Sequence, residues 1–412
     1  MDTQCVIAGC GPAGAVVGFL LARAGVDVIV LEKHGDFLRD FRGDTIHPST
    51  LEILDELGLA DRFLALPHSQ ISNIRLRSTS GDTLAFSLER LHTRFRYIAF
   101  VPQWDFLNFM TAEAKKFPTF HLEMKAEATD LIEEGGVVRG VRVGSREIRA
   151  PLTIGADGRT SRTREAADLP SHETSPPMDV FWFRVSRLDD EEEALAGRLG
   201  RGAGIVMIDR REYWQIAYVI PKGTADKIRA AGIEAFRKSV ETIEPRLANR
   251  VNEIRSFDDV KLLTVRSDRL LRWYKPGYLA IGDAAHAMSP VGGVGINVAI
   301  HDAVEAANVL WKPLSAGNVN ESDLRRVQKH RERSVRAIQA VQTFIQNRLI
   351  GRAMKSEAFE FPRIAHLIAR TPFLRDIPPH MVAFGIGRPH VHTPDLSGAR
   401  VSSPASILPG RG

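Results

Sequence analysis

The stretch that most constrains this chain is Cys5-Val6-Ile7-Ala8-Gly9-Cys10-Gly11-Pro12-Ala13-Gly14. A short apolar run turns at Gly9 into an apolar segment of helical length reaching Ala24. A second apolar strand, Val28 to Leu31, ends on Glu32, eighteen residues after Gly14. Strand, glycine-rich turn, helix, strand and carboxylate in that order make a dinucleotide-binding unit. Gly9 allows the tight turn, Gly11 lets the backbone approach a pyrophosphate, and Gly14 lets the helix pack on the sheet. Pro12 fits the first helical turn, where a missing N–H costs nothing, and Ala13 follows it. The N–H groups at the start of the helix face the phosphates, and Glu32, with Lys33 beside it, stands where an adenosine ribose would be held. The pattern predicts an ADP-containing cofactor.

At 412 residues the chain is long enough to bury a large core and to divide into two domains. Its 44% hydrophobic and 25% charged residues are the balance of a soluble globular protein. The net charge of +5 comes from basic residues spread along the chain rather than gathered in a tract, so nucleic acid is not an expected partner. Two cysteines, Cys5 in a strand and Cys10 in the turn, make neither a disulfide framework nor a metal-ligand spacing. No metal is expected, and a reducing cytoplasm is the natural compartment. Cys5 to Ala22 is apolar enough to suggest a membrane span, but its Gly-Cys-Gly-Pro-Ala-Gly interruption argues against one.

Further along, Asp40 to Pro48 is polar and turn-rich, and Ser49 to Leu57 reads as a capped helix. Residues 71–100 read as β structure, Gln103 to Lys116 as helix, and strands follow near 119–124, 126–133, 137–143 and 146–150. Pro151 to Ala156 is another apolar strand, ending at Asp157. The middle gives strands at Val180 to Val185, Gly204 to Ile208 and Tyr213 to Ile220, and a helix from Thr224 to Glu241. The acidic run Asp189 to Glu193 reads as a solvated loop or helix start. Tyr278 to Ile281 is a buried type of strand that ends at Gly282-Asp283, before a glycine-rich turn and an alanine-rich helix from Gly295 to Trp311. A long helix from Asp323 to about Leu349 carries arginines, Arg331 among them, that read as a solvated face. The tail past residue 370 reads as irregular.

Three separated motifs form one pattern. The first is Gly9 to Gly14 with Glu32; the second is Gly155-Ala156-Asp157-Gly158-Arg159-Thr160-Ser161-Arg162-Thr163-Arg164. The third is Gly282-Asp283-Ala284-Ala285-His286, continuing to Pro290-Val291-Gly292-Gly293-Val294-Gly295-Ile296-Asn297, with Asp302 beyond it. Together they resemble the single-component FAD-dependent monooxygenases of the para-hydroxybenzoate hydroxylase type, over most of residues 1–312. The resemblance implies an α/β fold with a discontinuous Rossmann-like FAD-binding domain (1–70, 98–177 and 270–318). A mixed or antiparallel β-sheet substrate domain is inserted into it (71–97 and 178–269), and C-terminal helices and a tail follow (319–412).

The same resemblance implies roles for residues. Asp283 would bond a ribityl hydroxyl of FAD; Gly293, Gly295, Ile296 and Asn297 would meet the isoalloxazine, where a helix N-terminus favours the reduced anion. Asp157 would belong to a part shared between FAD and the nicotinamide coenzyme. Arg42 would lie near the mobile flavin and Pro290 beside it, as the catalytic environment. Gln103 takes a place where many members carry Arg. In the implied reaction NADPH or NADH, bound transiently, reduces FAD, oxygen adds at the flavin C4a, and the hydroperoxide gives one oxygen atom to a small aromatic or polyketide-like substrate. A monomer or homodimer without a membrane span is implied. The middle strands should roof the pocket, with Phe181, Phe183, Met207, Trp214, Ile216 and Tyr218 as candidates, ordinary core packing being the other reading of each. A flavin halogenase, a prenyl reductase and a non-catalytic flavin-binding sensor are the alternatives.

Overall fold

The computed structural model describes residues 3–38, 44–191, 195–200, 202–355 and 359–396. Short runs rich in Val, Ile and Leu become strands buried on both faces, as parallel strands covered by helices must be. These are β1 (Cys5–Ala8), β2 (Val28–Glu32), β4 (Leu152–Gly155) and β6 (Tyr278–Ala280), with the part-exposed β3 (Phe120–Met124) and the antiparallel β5 (Tyr274–Lys275) at the two edges. Their order is β5-β6-β4-β1-β2-β3. The register sets Ala8 beside Gly155 and Gly155 beside Ala280, so β1, β4 and β6 end level with one another.

Helix α1 (Pro12–Arg23) lies on this sheet closely enough that a Cβ on Gly18 would sit 2.8 Å from Val30 Cγ2. It packs against α2 (Gly295–Ser315), which in turn packs on α3 (Glu321–Ile345). Asn320 and Asp323 close a capping box at the start of α3. The apolar run that resembled a membrane span is thus a strand, a turn and a helix. Among the described residues no helix is long and apolar enough to cross a membrane.

The second layer is a mixed seven-stranded sheet. It runs Lys261–Leu263, Met178–Ser186, Tyr213–Pro221, Ala203–Asp209, Leu195–Gly200, Asn73–Ser78, Thr83–Ser87. Only the pairing of Leu195–Leu199 with Ile74–Ser78 is parallel. The strand Leu195–Gly200 was not expected, because two glycines and a flanking acidic run hide its alternation. The helix expected over 224–241 is two helices, Ala225–Ala230 and Ile233–Ile243, broken at Gly232 with φ +88°. The tail past residue 370, expected to be irregular, holds the helix Ile377–Phe384, and the helix Arg363–Arg370 precedes it.

Candidate active site

Because β1, β4 and β6 stop level, the turns that follow them meet. A Cβ on Gly9, at φ +96°, would lie 2.5 Å from the Ala156 carbonyl oxygen and 2.7 Å from Asp157 Cα, so the first turn packs on the second. One on Gly282 would lie 3.1 Å from Ala13 Cβ and 3.2 Å from Ala299 Cβ, so the third turn packs on α1 and α2. A Cβ on Gly14 would overlap the Gly9 carbonyl oxygen. Gly11 is different. Its φ of −72° suits any residue, and a Cβ there would meet nothing within 4 Å. Neither backbone nor packing asks for glycine at this position, which borders open space at a helix N-terminus without a side-chain cap. A bare backbone there fits the close approach of a diphosphate.

The expected carboxylates divide by what they already bind. Glu32 is buried and accepts from the backbone N–H of Cys10 (3.3 Å) and His34 (3.0 Å), bracing the first turn; Lys33 is exposed. The Asp157 carboxylate accepts from the Thr163 hydroxyl (2.9 Å), the Thr163 N–H (3.0 Å) and the Ser161 hydroxyl. It builds the start of the helix Arg162–Ala167 and so organises the turn. Its backbone, packed on Gly9, is what borders the site. Asp283 is part-exposed and accepts from Arg159 Nε at 3.0 Å, while Arg159 Nη2 also donates to the Met288 carbonyl.

The loop ahead of α2 is pinned from the other side of the site. The Thr45 hydroxyl donates to the Gly293 carbonyl at 2.6 Å, and Gly292 and Gly293 take φ +80° and +63°. Asn297 is buried: its Oδ1 accepts from the His47 N–H (2.9 Å) and the Thr50 hydroxyl (2.8 Å), and its Nδ2 donates to the Thr45 carbonyl (2.9 Å). With both ends of its amide bonded inside the protein, Asn297 positions the loop. Ile296 is buried, Pro290 part-buried, and Gly295 begins the helix, whose N-cap Val294 offers no side-chain cap. Gln103 begins the helix Gln103–Ala114 and gives its N–H to Asp44 (3.1 Å), which also pairs with Arg210. Arg42 lies outside the described residues.

A buried network missed in the sequence backs the third turn. Asp302 accepts from the Gly282 N–H (3.1 Å) and Arg331 Nε (2.8 Å), and meets His286 Nε2 at 2.6 Å. Burial would raise the Asp302 carboxyl, but His286 and Arg331 hold it down to about 2. Arg331 is 1% exposed, not on a solvated face. The signal was present: Arg331 follows Leu324 and Val327 and precedes Val335 and Ile338 on the buried stripe of α3.

The pocket-roof candidates share one face of the sheet and pack as core, the other reading given for each. Phe181, Phe183, Met207, Trp214, Ile216 and Tyr218 pack with Phe236 and Val240 of the helix Ile233–Ile243. Strand alternation gives the opposite face to Val180, Trp182, Val206, Ala217 and Val219, which cluster with Val291 of the glycine-rich loop. Ile208, on that face too, joins Phe100, Ala383 and Phe384, so the C-terminal helix supplies a wall.

Two helix starts, a bare Gly11 and a loop of glycines opposite an apolar sheet face define a flavoprotein site of the FAD-dependent monooxygenase class. The chain belongs to the FAD-binding-domain family, whose model matches residues 2–343. A 6-methylpretetramide 4-monooxygenase from Streptomyces rimosus is 29% identical over 379 residues, 90% of either chain. The structure of PqsL, a probable FAD-dependent monooxygenase from Pseudomonas aeruginosa, is similar with a TM-score of 0.75 at 19% identity, over 86% of this chain and 97% of that one. The anhydrotetracycline hydroxylase OxyS from Streptomyces rimosus is similar at 0.71 and 21% identity, over 93% and 76%.

Proposed function

We propose that the protein takes electrons from NADPH or NADH and places one atom of O2 on a small aromatic or polyketide-like substrate. The observation that carries this reading is the meeting of three distant turns beneath a loop that faces an apolar wall. Bound FAD would supply the two-electron chemistry and the activation of oxygen. Gly9, Gly11, Gly14 and the start of α1 would seat its diphosphate, Glu32 its ribose, and Asp283 its ribityl chain. The backbone from Gly292 to Gly295 and the start of α2 would favour negative charge on the ring. Pro290 would lie beside the ring. Trp182, Val206, Ala217 and Val291 would keep water from the reacting centre. The named activity of the Streptomyces rimosus relative on 6-methylpretetramide supports a polycyclic aromatic substrate.

The test is to load the protein with FAD and screen phenolic and polyketide-like compounds under labelled O2. Substrate-stimulated coenzyme oxidation with label in the product is expected. A protein that holds FAD, yet is reduced by neither coenzyme with any compound, would instead be a flavin-binding sensor.

A further inference from the structure

Arg159 leaves the second turn directly after Gly158, whose φ is +84°. The Asp157 carboxylate takes the Ser161 hydroxyl, the Thr163 N–H and the Thr163 hydroxyl, so the backbone that carries Arg159 lies inside a closed loop from 157 to 163. From there the guanidinium reaches across to the third turn and is held twice. Its Nε donates to Asp283 Oδ2 at 3.0 Å and its Nη2 to the Met288 carbonyl at 3.3 Å. One side chain thus joins the beginning of the third turn to its middle. Met288 is itself buried, its Cβ 3.8 Å from where a Cβ on Gly295 would stand, at the start of α2.

The two carboxylate oxygens of Asp283 are thereby told apart. Oδ2 is taken by Arg159, whereas Oδ1 has no partner among the described residues, and the side chain is 31% exposed, within reach of a ligand. A part-exposed ion pair adds little to stability. What this pair adds is direction. A carboxylate on the short turn Gly282–Ala284 can rotate about its side-chain bonds, and a guanidinium anchored at a second point stops it with one oxygen occupied and the other open. The backbone beneath it is set separately, by the Asp302 carboxylate that accepts the Gly282 N–H.

We propose that Arg159 is the positioning residue for the ribityl chain of FAD: it turns Asp283 so that Oδ1 meets a ribityl hydroxyl, and it ties that contact to Met288, two residues before Pro290. The proposal rests on the reading of Asp283 as the ribityl acceptor and deepens it, because the acid and the cation that directs it come from turns 124 residues apart. Arg159 has no part in seating the diphosphate, which falls to Gly11 and the start of α1.

Two ligands separate this role from a general one. ADP carries the adenosine and the diphosphate without the ribityl chain; FAD carries all three. Each is titrated by calorimetry into the full-length chain freed of flavin. Arg159→Ala should weaken FAD by about tenfold or more and leave ADP within about twofold. Arg159→Lys, whose ammonium can meet either acceptor but lacks the fork that braces both, should recover part of the loss. In an Asp283→Ala chain, which has no carboxylate to direct, Arg159→Ala should change FAD affinity by less than about twofold. An equal loss of FAD and ADP, FAD binding that Arg159→Ala leaves unchanged, or a loss just as large in the Asp283→Ala chain overturns the proposal. A wild type that binds ADP but not FAD overturns the flavin reading instead, and the proposal falls with it.

Discussion

Two glycines three residues apart along the same turn should respond in opposite ways. Gly11→Val adds a side chain where the protein has nothing within 4 Å, at an ordinary φ, so the melting temperature of the cofactor-free protein should stay within about 2 °C. FAD affinity should fall by about a hundredfold or more, because the new methyls occupy the diphosphate's approach. Gly14→Ala drives a Cβ into the Gly9 carbonyl and should prevent folding before binding can be measured. Calorimetry and flavin fluorescence titration separate the two. Asn297→Ala tests the buried amide. It strands the His47 N–H, the Thr50 hydroxyl and the Thr45 carbonyl, and should cost about 2–4 kcal/mol in urea unfolding. A loss of FAD affinity with unchanged stability would instead mean that Asn297 touches the cofactor. Glycines and motif carboxylates were legible because their spacing states a backbone requirement. The commitment of Asp157 and Asn297 to the protein's own backbone was not, since a side-chain amide or carboxylate serves either purpose equally well in sequence.

Helix α2 and the start of the helix Pro48–Glu56 store a pH dependence. Burial pushes His47 down to about 4, opposed by its bond to the Val382 carbonyl; burial, then the Arg331 charge, push His301 down to about 3. Both lie below the unfolded value near 6.5, so between that pH and 4 the unfolded chain takes up protons that the fold refuses. Their contribution is complete above about pH 6.5 and declines as pH falls, by up to about 1.4 kcal/mol per unit for each histidine. Urea midpoints from pH 7.5 to 4 check this, and His47→Gln should flatten its share of the slope. A wild-type midpoint constant across that window would contradict it. Asp302 acts lower. Its carboxyl is held to about 2, so its stabilisation is full above the unfolded value near 3.8 and disappears as pH drops through 2. At this scale alternation and periodicity located the long elements. They failed where a glycine carried the signal, as at Gly232, and where a charged residue occupied a buried stripe, as Arg331 does.

Over the whole molecule, the end of the chain closes the structure that the beginning opens. The Thr393 carbonyl accepts from Arg23 at 2.8 Å, the Val391 N–H meets Glu56 at 2.8 Å, and the His392 N–H meets Asn308 at 2.8 Å, so the last described residues lie across α1, α2 and the helix Pro48–Glu56. Val382 and Phe384 meanwhile join the wall around the candidate pocket. None of this is visible in a tail punctuated by proline and glycine, because its order comes from contacts 84 to 370 residues away along the chain. The level ends of β1, β4 and β6 also lie beyond sequence, yet they turn three motifs into one site. That convergence is best tested by titrating FAD into the purified, flavin-stripped chain and following flavin fluorescence together with the melting temperature. The account expects saturation at one FAD per chain, with a rise in melting temperature that Gly11→Val and Asp283→Ala each diminish. A folded chain that leaves FAD fluorescence and its own melting temperature unchanged would contradict it.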